Sequence, residues 1–135
     1  MKTPLEIFNL MYNNDPFSKL LGMQLIEINE GHCKLQMKVT KEMLNGFSIA
    51  HGGITYSLAD SALAFASNSR GIQSVSIETS INHLSKVIEG DTLTAITEEK
   101  NLTGRTALYL INITNQHQQA VALFKGIVFR TGKEW

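Results

Sequence analysis

The sequence predicts an α+β fold in which an antiparallel sheet wraps one long central helix, with a short helix at the N-terminus. Two observations carry that reading. Residues 54–69 form a run of small and apolar side chains holding a single full charge, Asp60. From residue 74 onward the chain reads as strand after strand, separated only by short polar turns. Short turns between strands imply antiparallel neighbours. A sheet with one apolar face needs a cover, and 54–69 is the long element apolar enough to provide it. Alanine and serine dominate its surface (Ser57, Ala59, Ser61, Ala62, Ala64, Ala66), so a curved sheet can approach from several sides.

The totals are consistent with one such domain spanning 1–135. A length of 135 residues leaves no room for a second core. The hydrophobic fraction of 43% is ordinary, and the charged fraction of 18% is low, as expected of a chain that buries surface against other copies of itself. Twelve basic residues balance twelve acidic ones, so no net field recruits nucleic acid or an anionic membrane. The single cysteine, Cys33, excludes an intrachain disulfide and fits a reducing compartment. The N-terminus lacks a signal-peptide pattern, and no stretch approaches the roughly 18 apolar residues of a membrane helix. The expectation is a cytoplasmic protein.

Thr3-Pro4-Leu5-Glu6 is a capping box with proline at the first helical position. Leu5, Phe8 and Tyr12, with Ile7 and Met11 beside them, give the helix an apolar face. Asp15-Pro16 closes it, because a residue before proline avoids the helical region, and 17–21 is expected to add one turn. Residues 23–28 and 32–40 flank Asn29-Glu30-Gly31 as a hairpin; Cys33, Leu35, Met37 and Val39 alternate with polar residues, the period of a strand with one buried face. Further strands are expected at 74–83, 92–100, 105–114 and 120–130, with 131–135 a short tail.

The chemistry gathers in Asn45–Gly71. Gly52 and Gly53 stand where the helix begins, at the positive end of its dipole, where amides lack intrahelical partners. Such an amide polarises a carbonyl and holds an oxyanion without rearrangement, and glycine lets a substrate reach the backbone. Taken alone, His-Gly-Gly reads first as an ordinary loop-to-helix junction, where glycine pairs are common. Asp60 follows Gly53 by seven residues, roughly 10 Å along the helix, on a stripe with Tyr56, Leu63, Ala64 and Ser67. Desolvation there raises its pKa and makes it a better base, unless a neighbouring hydroxyl or amide satisfies it. The helix-end donors and Asp60 face different ways, so the expectation is a site split across a two-fold interface. His51 has two readings, a group that orients substrate or water and a loop histidine held by backbone. Asn45 either positions water or thioester, or forms the Asn-Gly turn. Phe47, Tyr56 and Phe65 are candidates for an aromatic pocket, with core packing as the alternative.

Asn45-Gly46, His51-Gly52-Gly53, Ser57-Leu58-Ala59-Asp60 and Asn68-Ser69-Arg70-Gly71 resemble the signature of hotdog-fold acyl-CoA thioesterases, most closely the phenylacetic-acid-degradation (PaaI-like) group. The resemblance extends to Met43-Leu44, 90–95 and 121–124. It implies hydrolysis of aryl- or hydroxyarylacetyl-CoA without a metal or separate cofactor, coenzyme A being part of the substrate. It also implies Asp60 as base or nucleophile, Gly52 as oxyanion amide, His51 and Asn45 as site residues, and a homodimer that pairs into a homotetramer; Gly53, from its place at the helix start, is expected to contact substrate. Where such relatives carry Arg-Pro after the central strand, this chain has Ser85-Lys86, so Lys86 is expected to meet coenzyme A phosphates as a point charge. Arg70, Lys125 and Arg130 are read as surface residues. A non-catalytic acyl-CoA-binding domain is the competing class, and Asp60 argues against it. Dehydratase chemistry is a weaker third.

Overall fold

In the computed structural model, which describes residues 1–135, ten elements follow the predicted order. Helix α1 (Pro4–Asn13) starts with the capping box: Thr3 Oγ1 accepts from the Glu6 amide and Glu6 from the Thr3 amide. Its buried residues are Ile7 and Phe8, while Leu5 points outward at 52% exposure, so the apolar face is narrower than predicted. Asp15 caps α2 (Pro16–Leu20) through the Ser18 amide. Strands β1 (Gln24–Asn29) and β2 (His32–Lys38) form the hairpin, turning at Gly31 with φ +72°. The short 3-10 turn η1 (Lys41–Met43) leads to the central helix α3 (Gly52–Asn68).

Strands β3 (Ile72–His83), β4 (Thr92–Leu102), β5 (Thr106–Thr114) and β6 (Ala120–Glu134) complete one six-stranded antiparallel sheet, ordered β1-β2-β4-β5-β6-β3. β3 and β4 follow each other in sequence but do not pair. Residues 84–91 cross the sheet past the start of α3, and β3 pairs instead with β6. The sheet curls over α3, whose Leu58, Ala59, Ala62, Leu63, Phe65 and Ala66 are at most 2% exposed in a core shared with β2, β4, β5 and β6. Close approach has a visible cause at Gly126 on β6: a Cβ there would stand 2.5 Å from Leu63 Cδ2. Phe8 meets Phe65 edge-on with centroids 4.7 Å apart, which ties α1 to the same core.

Three expectations change. The central helix starts at Gly52 rather than 54, because His51 caps it and both glycines enter the first turn. The C-terminal residues are not a tail. β6 runs to Glu134, paired with Ile72, and the Trp135 indole donates to Asn68 Oδ1 at 2.9 Å. Arg70 is not a free surface residue. It forks onto Glu99 (Nη2–Oε1 2.7 Å, Nε–Oε2 3.2 Å), and the buried Tyr109 hydroxyl donates to the same carboxylate at 2.7 Å. Burial pushes Glu99 upward, but these hydrogen bonds outweigh it and hold the carboxyl below its ordinary range.

Candidate active site

The loop ahead of α3 is held by its own hydrogen bonds. Asn45 Oδ1 accepts from the Phe47 amide at 2.9 Å, an Asx turn that leaves Nδ2 without a partner in the chain. Leu44 bridges Ala50, and the His51 amide donates to Met43 O at 2.8 Å. His51 Nδ1 then accepts from the Gly53 amide at 3.0 Å. The predicted His-Gly-Gly unit therefore divides. Gly53 gives its amide to the cap, His51 is the cap, and the Gly52 amide alone donates to no acceptor in the chain. His51 receives that bond on Nδ1, so its proton sits on Nε2.

Gly52 opens into a cavity of about 360 Å³ that also contains Asn45, Thr55, His83 and Lys86. His83 closes one wall: a Cβ on Gly52 would lie 3.2 Å from His83 Nε2. The other ring nitrogen, Nδ1, is 3.3 Å from Thr55 Oγ1, and that hydroxyl is 3.1 Å from Gly52 O.

Asp60 opens elsewhere. It borders a second cavity of about 250 Å³ with Met11, Leu63, Ala64, Ser67 and Ser76, which confirms the predicted stripe except for Tyr56. The Asp60 carboxylate has no hydrogen-bond partner in the chain; the neighbouring Ser61 hydroxyl is engaged with Ser18 at 2.8 Å. Within the chain, no hydroxyl or amide satisfies the carboxylate. Burial raises its pKa above the ordinary carboxylate value of 3.8.

The remaining candidates fall outside both cavities. Phe47 is 88% exposed. Tyr56 packs edge-on to Phe124 with centroids 5.2 Å apart and bonds the Thr79 hydroxyl, so it serves the helix–sheet contact. His83, Thr55 and Ser76 were missed from sequence. His83 and Ser76 look there like ordinary members of an alternating strand, and only the folded chain sets one against the Gly52 cavity and the other against the Asp60 cavity. No group of three or more His, Cys, Asp or Glu side chains is placed to hold a metal ion, and no helix is long and apolar enough to cross a membrane.

Residues 47–122 match the family model of the thioesterase superfamily. The chain belongs to that superfamily. Within it, the chain is similar to the acyl-coenzyme A thioesterase PaaI of Escherichia coli K12, with 43% identity over 90% of this chain and 87% of PaaI. The solved structure of the E. coli PaaI protein superposes with a TM-score of 0.95 at 40% identity, covering 97% of this chain and 95% of that one. The sheet wrapped around its helix is thus the hotdog fold of PaaI, and the chain is a thioesterase-family enzyme. Two other solved structures were obtained with ligands. One is smu.793 of Streptococcus mutans UA159, bound to acetyl CoA: TM-score 0.81, 30% identity, 84% of this chain and 91% of that one. The other is a hypothetical thioesterase protein of Streptococcus pneumoniae TIGR4 with coenzyme A: TM-score 0.80, 28% identity, and the same shares of the two chains.

Proposed function

We propose that the chain is an acyl-CoA thioesterase acting on arylacetyl- or hydroxyarylacetyl-CoA, with each active site assembled from two subunits. The observation that carries the reading is Asp60: a half-buried carboxylate bordering a cavity and bonded to nothing in its own chain. A charge left so costs stability, and thioester hydrolysis is a use for it.

Assembly follows from β3. It is an edge strand of twelve residues whose outer side is unpaired, and Val75 and Ile77 stand on it at 58% and 60% exposure. The N-terminal part of β3, with Ser76, borders the Asp60 cavity; its last residue, His83, borders the Gly52 cavity. Two β3 strands paired antiparallel about a two-fold axis set the first part of one beside the last part of the other. Asp60 of one subunit then faces Gly52 of the other. Further pairing of dimers into a tetramer is the larger assembly proposed.

At such a site the thioester carbonyl oxygen accepts from the Gly52 amide. Asp60 takes a proton from water as the water oxygen bonds to the carbonyl carbon, and the negative charge collects on the oxyanion beside Gly52. When the oxyanion collapses, the carbon–sulfur bond breaks, the coenzyme A thiolate leaves and is protonated, and the free acid remains. Direct attack by Asp60, forming an anhydride that water then opens, uses the same atoms. Asn45 Nδ2, unpartnered at the cavity edge, orients the thioester or the water, and Lys86 meets a phosphate of coenzyme A. His51 acts through the cap that fixes the helix start, and Phe47 and Tyr56 have no assigned part.

A panel of acyl-CoA esters assayed by release of free thiol tests the proposal. Fast release from phenylacetyl- or hydroxyphenylacetyl-CoA is expected. Binding of these esters with no thiol released from any member of the panel would replace it with the non-catalytic binding reading.

A further inference from the structure

We propose that His83 is a catalytic residue of this site, donating from Nε2 to the substrate carbonyl oxygen held by the Gly52 amide. The proposal rests on the thioesterase reading and adds a second donor to its oxyanion pocket.

Position comes first. Gly52 is the first residue of α3, its amide is free, and His83 Nε2 is 3.2 Å from where a Gly52 side chain would begin. The imidazole therefore occupies the face that glycine leaves open, and both groups line one cavity. A carbonyl oxygen that reaches the amide at this helix end comes against the ring edge carrying Nε2.

The proton inventory decides what that edge offers. Thr55 Oγ1 has one hydrogen and two acceptors in reach, Gly52 O at 3.1 Å and His83 Nδ1 at 3.3 Å. When the hydroxyl donates to Gly52 O, His83 Nδ1 carries the proton and Nε2 presents a lone pair. When the hydroxyl turns to Nδ1, the proton sits on Nε2 and points into the cavity. Gly52 O is the carbonyl that accepts the main-chain N–H of the second turn of α3, so it does not depend on Thr55. A lone pair facing a carbonyl oxygen is repulsive, and an N–H facing it is a hydrogen bond. Substrate thus selects the second arrangement: the Thr55 hydroxyl rotates toward Nδ1, and the exposed ring gives up its Nδ1 proton to water and takes one from water on Nε2. Both donors are in place before charge develops on the oxygen, which is what makes such a pocket effective.

His83 is exposed in the single chain, at the end of the strand proposed to pair between subunits, so replacing it spares the core and the oligomeric state is checked beside each variant. His83→Phe keeps a flat ring without the donor; His83→Gln keeps an amide N–H. Two readouts are taken with phenylacetyl-CoA and with its ketone analogue, in which a methylene replaces the thioester sulfur. The first is kcat from thiol release. The second is the infrared stretch of the bound, 13C-labelled ketone carbonyl, which reports polarisation without turnover. His83→Phe is expected to lower kcat by about 10²-fold with an unchanged melting temperature, and to move the bound carbonyl band toward its higher, unbonded frequency. His83→Gln is expected to recover part of both. A carbonyl band identical in wild type and His83→Phe overturns the proposal, whatever happens to kcat. If the wild-type chain cleaves no thioester yet the band depends on His83, the hydrolytic reading fails and the His83 contact stands.

Discussion

Asp60 and Gly52 lie eight residues apart on one helix and open into two cavities that share no lining residue. Eight residues are about 12 Å of helix, too far for a single thioester carbon to meet both from within one chain. The unpaired edge of β3 offers the alternative, because its two ends border the two cavities. Half-sites joined across that edge account for a helix bearing an uncompensated carboxylate at one place and a bare amide at another.

Complementation checks this directly. Gly52 is the first helical residue, where proline is accommodated, so Gly52→Pro deletes the free amide and keeps the helix start, with the exposed His83 ring yielding to the added Cβ. Gly52→Pro and Asp60→Ala are each expected to be nearly inactive. Co-refolded in equal amounts, they give mixed dimers in which one of two sites has both groups intact. About a quarter of wild-type activity is expected, with half the dimers mixed and half their sites whole. No recovery on mixing would place each site within one subunit.

The pH dependence of Asp60 has a definite sign. Its folded pKa lies above the ordinary 3.8 because burial disfavours the charged form. Between those two values the folded state binds more protons than the unfolded one, so this group makes stability fall as pH rises, and its cost is fully present at neutral pH. Asp60→Ala is expected to gain stability relative to wild type between pH 3 and pH 7, read by denaturant unfolding at each pH. A gap that narrows toward neutral pH would contradict it. In the wild type, kcat/KM should lose its base on acidification at a pH above the ordinary value of 3.8.

Glu99 carries the opposite sign. The Arg70 fork and the Tyr109 hydroxyl hold its folded pKa below 4.5, against the burial that raises it. Its contribution is present above 4.5 and is lost as pH falls through the lower folded value. Glu99→Ala strands a Tyr109 hydroxyl that is 0% exposed and is expected to cost about 2–3 kcal/mol at pH 7, less in acid. Denaturant midpoints at the two pH values give the comparison.

Much of the fold is legible in local pattern. The capping box at Thr3, the alternation of Cys33, Leu35, Met37 and Val39, and the small-residue helix all write their geometry into neighbouring residues. What escapes depends on distant partners. Residues 131–134 become strand because β3 lies alongside and Trp135 reaches Asn68, 67 positions away. Arg70 looks like a surface cation until β4 brings Glu99 to it. In the site, Asp60 and Gly52 are visible because each breaks its local pattern: a charge in an apolar run, and a glycine at a helix start. His83 obeys the pattern of its strand, and only the pairing of β3 with β6 sets it against Gly52. The aromatic candidates Phe47 and Tyr56 show the converse limit, since residue type near a motif says nothing about direction.

The central claim is that the unpartnered Asp60 carboxylate performs the hydrolysis. Thiol release from phenylacetyl-CoA by Asp60→Ala, at pH 7 and beside wild type, tests it most directly. Loss of at least about 10²-fold in kcat is predicted, with a retained cooperative unfolding transition and retained binding of the ester. Turnover within a factor of two of wild type would contradict the account and place the chemistry on other residues.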